Sequence, residues 1–133
     1  MPIIGFSINS IEAKKRRVLP TGVKVTTTPK ITSVKEKKVE IVKEEKVLAV
    51  GFEFTIQYDP NVGKLKFVGE ILYTDENVKE VLNHWKKRKK LPVDVDIAVK
   101  NFLIRKCLTV GVYLAENLQL PPPVILPVIR KRK

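Results

Sequence analysis

Between residues 48 and 58 the chain alternates strictly: Leu48, Val50, Phe52, Phe54, Ile56 and Tyr58 fall on one face, Glu53, Thr55 and Gln57 on the other. A period of two is the signature of a strand with one buried face. Asp59-Pro60-Asn61-Val62-Gly63 carries turn chemistry, and the returning segment sets Leu65, Phe67, Gly69, Ile71 and Tyr73 against Lys64, Lys66 and Glu70. The two runs read as a β-hairpin. Upstream, Ile4, Phe6 and Ile8 alternate with smaller or polar residues as a first strand, Leu19-Pro20-Thr21-Gly22 is a turn, and residues 23–28 alternate as a second strand. Pro29 cannot donate to a ladder, which places that strand at an edge or a bulge. Residues 31–46 interleave charges with Val34, Val39, Ile41 and Val42, the pattern of a solvent-facing strand or ribbon with an irregular turn.

After Tyr73 the period changes. Val78, Val81, Leu82 and Trp85 recur at i, i+3, i+4 and i+7, which predicts a short helix with Thr74 or Asp75 as its N-cap. Leu91-Pro92 breaks it, and a longer helix is expected over 93–118, with Asp94 and Asp96 at its positive end and an apolar stripe of Val95, Val99, Phe102, Leu103, Cys107, Val110 and Leu114. Beyond Leu120, Pro-Pro-Pro-Val-Ile-Leu-Pro-Val-Ile forces an extended apolar arm. The expected architecture is α+β: a four-stranded antiparallel sheet packed by two C-terminal helices, followed by an extended Pro-rich C-terminal arm. At 133 residues there is room for one core, read as a single domain over 1–129 with a basic tail at 130–133.

Charge alters the functional picture. The net charge is +12, and most of the 26 cations sit in four runs: Lys14, Lys15, Arg16 and Arg17; Lys86, Lys87, Arg88, Lys89 and Lys90; Arg105 and Lys106; and Arg130, Lys131, Arg132 and Lys133. The cations left over are outnumbered by the 14 acidic residues, so the basicity is local. Local cationic runs on a near-neutral body suit a polyanion, which makes ribosomal RNA or a ribosomal subunit the leading expected partner and the first, second and fourth runs its candidate contacts. The competing reading is solvated surface. An abundance of Lys, Glu, Val and Ile beside one Cys and one Met is the bias of proteins from hot habitats.

Chemistry is sparse. There is no Gly-x-Gly-x-x-Gly, Walker A, His-Glu-x-x-His or Gly-x-Ser-x-Gly motif, so neither an enzyme nor a cofactor is expected. A single Cys107 and a single His84 exclude an intrachain disulfide and a zinc site built from one chain. Cys107 reads as a small buried hydrophobe and His84 as a partly exposed structural residue. Glu44-Glu45 and Asp94 with Asp96 diverge in direction and do not form an acid–base pair. Trp85, followed at once by Lys86, invites base stacking, but its shared face with Val78, Val81 and Leu82 favours core packing. No apolar run reaches the roughly 20 residues of a membrane helix and no leader pattern opens the chain, which reads as cytoplasmic without membrane insertion.

The order of elements, the 48–58 and 65–73 hairpin, the long helix bearing Ile104, Arg105, Lys106 and Cys107, and above all the segment from Leu120 through Pro121, Pro122 and Pro123 to Pro127 and Ile129 resemble the SecB-like superfamily of export chaperones. In that family the long helix ends at this point and an extended proline-containing segment returns over the sheet. The resemblance implies self-association, as a dimer or dimer of dimers, and an alternative function as an ATP-independent holdase for unfolded or nascent polypeptides. The chain departs from the family's acidic, metal-tailed bacterial archetype in being basic and ending in Arg130-Lys131-Arg132-Lys133. It would be a basic member, of thermophile or archaeal type. A homodimer of such a body could also bridge ribosomal particles.

Overall fold

The strongest alternation makes the centre of the sheet. In a computed structural model that describes residues 3–16, 22–37, 47–125 and 127–131, β1 (Ile3–Lys15), β2 (Lys24–Lys37), β3 (Val47–Asp59) and β4 (Gly63–Tyr73) form one antiparallel sheet in the order β1-β4-β3-β2. Two helices, α1 (Val78–Arg88) and α2 (Val93–Asn117), lie against the face that carries the alternating apolar side chains. On that face Phe52, Phe54, Ile56, Tyr58, Leu65, Phe67 and Ile71 are inaccessible to solvent. The opposite face is polar and carries the ion pairs Lys37–Glu70 (2.9 Å) and Lys66–Glu53 (3.7 Å).

An aromatic chain ties the layers together. The Phe6 ring of β1 stacks on Phe52 of β3 at 5.6 Å and meets Phe102 of α2 edge-on at 5.5 Å. Gly69, paired with Phe52 and Ile8, has no room for a side chain: a Cβ there would meet the Ser7 carbonyl oxygen and the tip of the Phe52 ring.

Several expectations are corrected. In β1 a register shift between Ile3 and Gly5 leaves Ile3, not Ile4, in step with Phe6 and Ile8, and Ile4 is exposed. β2 is an edge strand, as Pro29 implies, but it does not stop at Thr28: Pro29 pairs with Phe54, its missing donor harmless there, and the irregularity falls later, between Ile31 and Ser33. Residues 31–37 belong to this strand, while 38–46, including Val39, Ile41, Val42 and Glu44-Glu45, lie outside the described residues. The N-cap of α1 is Asn77 and not Thr74 or Asp75. Asp75 is engaged before the helix starts: its carboxylate accepts from the Tyr73 hydroxyl (3.3 Å) and from the Glu76 N–H (2.7 Å).

Along α2 the buried positions are Val95, Val99, Leu103, Cys107, Gly111 and Ala115. Phe102, Val110 and Leu114, expected on the stripe, are half-buried beside it. Steps of four residues precess by about 40° each, so the contact line winds around the helix. Its C-terminal half thereby meets the arm as well as the sheet. Gly111 permits this close approach, because a Cβ there would stand 2.6 Å from Ile56 and 3.5 Å from Pro123. The arm is held by Leu120, buried beside Gly63, and by the Tyr58 hydroxyl, which donates to the Pro121 carbonyl at 2.7 Å. Past Val124, the side chains of Ile125, Val128 and Ile129 are exposed.

Burial has a pH consequence. It pushes the Tyr58 hydroxyl up to about 12 and the Cys107 thiol up to about 12, and raises Tyr73, where Asp75 adds to the effect. These groups stay protonated in the fold while the unfolded chain ionises near 9.0 for the thiol and 10.0 for the phenols. The contribution of Cys107 and Tyr58 is therefore complete below about pH 9 and is lost as pH rises toward 12, at up to ~1.4 kcal/mol per group per pH unit. Denaturant melts are expected to be flat from neutral pH to about 9 and to fall steeply above it. In Cys107→Ala the fall begins about one pH unit later.

Candidate functional site

The free edge of β2, the loop between the helices and the first turns of α2 enclose a groove of about 400 Å³. The end of α1 sets its shape. Lys89 closes the helix in the left-handed conformation (φ 54°), with its N–H on the Trp85 carbonyl at 2.8 Å. Glycine is the usual residue there because a Cβ is disfavoured in that conformation. His84 Nδ1–H then donates to the Lys90 carbonyl at 2.7 Å, pinning the loop and fixing the ring's tautomer. Leu91 drops into the core, and Pro92 opens α2.

The walls are Pro29, Ile31, Trp85, Leu91 and Val93. Trp85 is half-buried: it packs against the core, as its spacing predicts, and also lines the groove. Lys30, Lys89, Lys90 and Lys100 stand at the rim with Asp96, whose carboxylate pairs with Lys100 at 3.0 Å. Among the described residues no other carboxylate lies within ion-pair distance of the rim lysines. The arrangement offers an aromatic and aliphatic surface open to solvent beside fixed positive charge, with no positioned nucleophile or base among the described residues. Cys107 is buried away from it with an inert thiol, and among the described residues no three His, Cys, Asp or Glu side chains gather as metal ligands.

The first and second cationic runs sit on different elements, at the end of β1 and at the end of α1. Lys14 and Lys15 end β1, where Lys14 pairs with Glu12 (3.2 Å) and holds that exposed carboxyl below its ordinary range. Arg16 ties itself to the β3–β4 turn, its backbone N–H on the Val62 carbonyl and its guanidinium on Asn61 Oδ1, both at 2.7 Å. Lys86, Lys87 and Arg88 occupy the last turn of α1, where the helix dipole favours cations. This second run reaches the sheet at β2, the edge opposite β1, three strand spacings or about 14 Å away. In the third run, Lys106 lies over the Phe102 ring at 5.7 Å. Arg130 and Lys131 are exposed at the end of the arm; Arg17, Arg132 and Lys133 lie outside the described residues.

Apolar surface is also left bare. Val93, Ile97 and Tyr113 on α2, Ile4 and Ile11 on β1, and Ile125, Val128 and Ile129 on the arm are exposed. The groove itself was not legible as a site, because its walls come from three elements that the chain order separates; the signals available were Ile31 two residues after Pro29 and the Leu91-Pro92 break.

No protein-family model matches this sequence, and no curated protein matches it by sequence. The fold does have a counterpart among solved structures, over nearly the whole chain. One solved structure it resembles is the SecB-like chaperone Rv1957 of Mycobacterium tuberculosis, in complex with a ChAD peptide from the Rv1956 HigA1 antitoxin, at a TM-score of 0.54 and 15% identity, covering 98% of this chain and 91% of that one.

Proposed function

We infer that this protein is a non-catalytic holdase, an ATP-independent binder of unfolded or nascent polypeptide, and that the groove beside Trp85 takes the apolar residues of its clients. The carrying observation is an open groove, walled by an aromatic and aliphatic side chains, on a SecB-like fold. That the structural counterpart is itself a chaperone holding a peptide supports the reading. Clefts of this size lined by apolar groups with a few fixed polar ones are what ligand and peptide sites consist of. Self-association is part of the proposal, because the exposed edge of β1, with Ile4 and Ile11 bare on it, presents apolar area and unpaired strand groups that a second copy would cover. Ribosomal RNA, the partner expected from charge, draws no support from the structural likeness.

The test is aggregation suppression. Purified protein added to a chemically denatured client on dilution is expected to hold it soluble at near-stoichiometric ratios without nucleotide, and to scatter light as a particle larger than the 15.2 kDa chain. Failure against several clients, acidic ones among them, contradicts the reading.

A further inference from the structure

We propose that the groove selects unfolded segments whose apolar residues are flanked by carboxylates, and that the same lysines keep the chain's own apolar arm out of it. The proposal rests on the holdase reading and names the client class of that site. Its basis is the sign and placement of the rim charges. Lys89 and Lys90 come from the interhelical loop and Lys100 from α2, with Lys30 on the β2 edge in register with Glu53, so lysines from three elements line one apolar floor; among the described residues only Lys100 has a carboxylate within ion-pair distance, that of Asp96. A client carboxylate beside such a rim replaces part of its water with fixed positive charge, at an effective dielectric below that of bulk solvent. Lys89 adds a second line of argument. A left-handed helix end is where glycine fits most easily, and here a lysine stands at the mouth of the groove.

The arm makes the selection matter. Ile125 and Ile129 are fully exposed and Val128 largely so, apolar side chains of the kind an apolar groove takes up. That segment runs directly into Arg130, Lys131, Arg132 and Lys133. An apolar arm ending in cations, from the same chain or a second copy, meets a rim of like charge. Opposite flanking charge in a client does not.

The experiment measures fluorescence anisotropy of two labelled peptides with one shared apolar core, flanked by aspartates in one and by lysines in the other. The acidic peptide is expected to bind at least tenfold more tightly at low salt, with the gap closing as salt rises. Lys30→Gln, Lys89→Gly and Lys90→Gln combined should abolish the preference, whereas Lys14→Gln and Lys15→Gln combined, at the far edge, should preserve it; circular dichroism verifies that both variants are folded. Removing residues 127–133 should leave acidic-peptide affinity unchanged, and converting Arg130, Lys131, Arg132 and Lys133 to glutamate should lower it, because the arm then competes. Equal binding of the two peptides overturns the selectivity and leaves the holdase reading standing. Binding of neither overturns both. Loss of preference in the far-edge variant assigns it to the whole molecule's charge and overturns the role of the groove. A gain in affinity on removing the wild-type arm overturns the exclusion.

Discussion

Phe52→Ala is expected to cost the fold about 3–5 kcal/mol, a large share of the roughly 5–15 kcal/mol by which a domain of this kind is stable. The side chain is inaccessible to solvent at the middle of β3, paired with Gly69 on one side and Ile31 on the other. Its ring carries Phe6 and, through Phe6, Phe102, so one truncation slackens an edge strand, the sheet centre and α2 together. Collapse around the cavity is impeded because Gly69 has no side chain to fill it, and the Ser7 backbone holds the two strands at a fixed separation. Ile31 is both a pairing partner of Phe52 and a wall of the groove, so the same change should reduce client holding in whatever fraction remains folded. Urea unfolding measures the loss; a decrease below about 1 kcal/mol would contradict this account of the core.

Much of the fold was legible because the sheet has one wet face. Wherever a polar face opposes a buried one, the two-residue period is visible, and the assigned faces of β3 and β4 match the structure residue for residue. The edges were less legible for the same physical reason. At β1 and β2 the register slips at single extra residues, and nothing in the alternation of Ile3 and Ile4 or of Ile31 and Thr32 marks which one is displaced. The stripe of α2 was read as one line, while the structure winds it from sheet to arm through Gly111 and Ala115, small residues whose burial reflects close approach and not hydrophobicity. Val62 is a further case: it lies inside turn chemistry and is wholly buried, because the turn folds it under the hairpin.

The candidate site was legible only in fragments. Trp85 was recognised as a residue with two possible uses, and the structure gives it both an inner contact and a groove wall. The basic runs were visible as charge, but charge along a chain does not say which cations share a surface. Lys89 and Lys90 join Lys30 and Lys100 only through tertiary packing, whereas Lys86, Lys87 and Arg88 favour their own helix end.

Trp85→Ala is expected to weaken the holding of unfolded polypeptide by about 2 kcal/mol, roughly thirtyfold, because large aromatic anchors in desolvated grooves carry most of the binding energy at such sites. Since Trp85 is the one tryptophan of the chain, the wild-type protein reports on the groove without substitution. The most direct measurement is therefore its fluorescence during titration with a permanently unfolded, tryptophan-free polypeptide. The account predicts a saturable shift of emission to shorter wavelength, as the client displaces water from the half-buried ring, with a midpoint matching that of aggregation suppression. A client that is held soluble while the emission of Trp85 stays unchanged would contradict it.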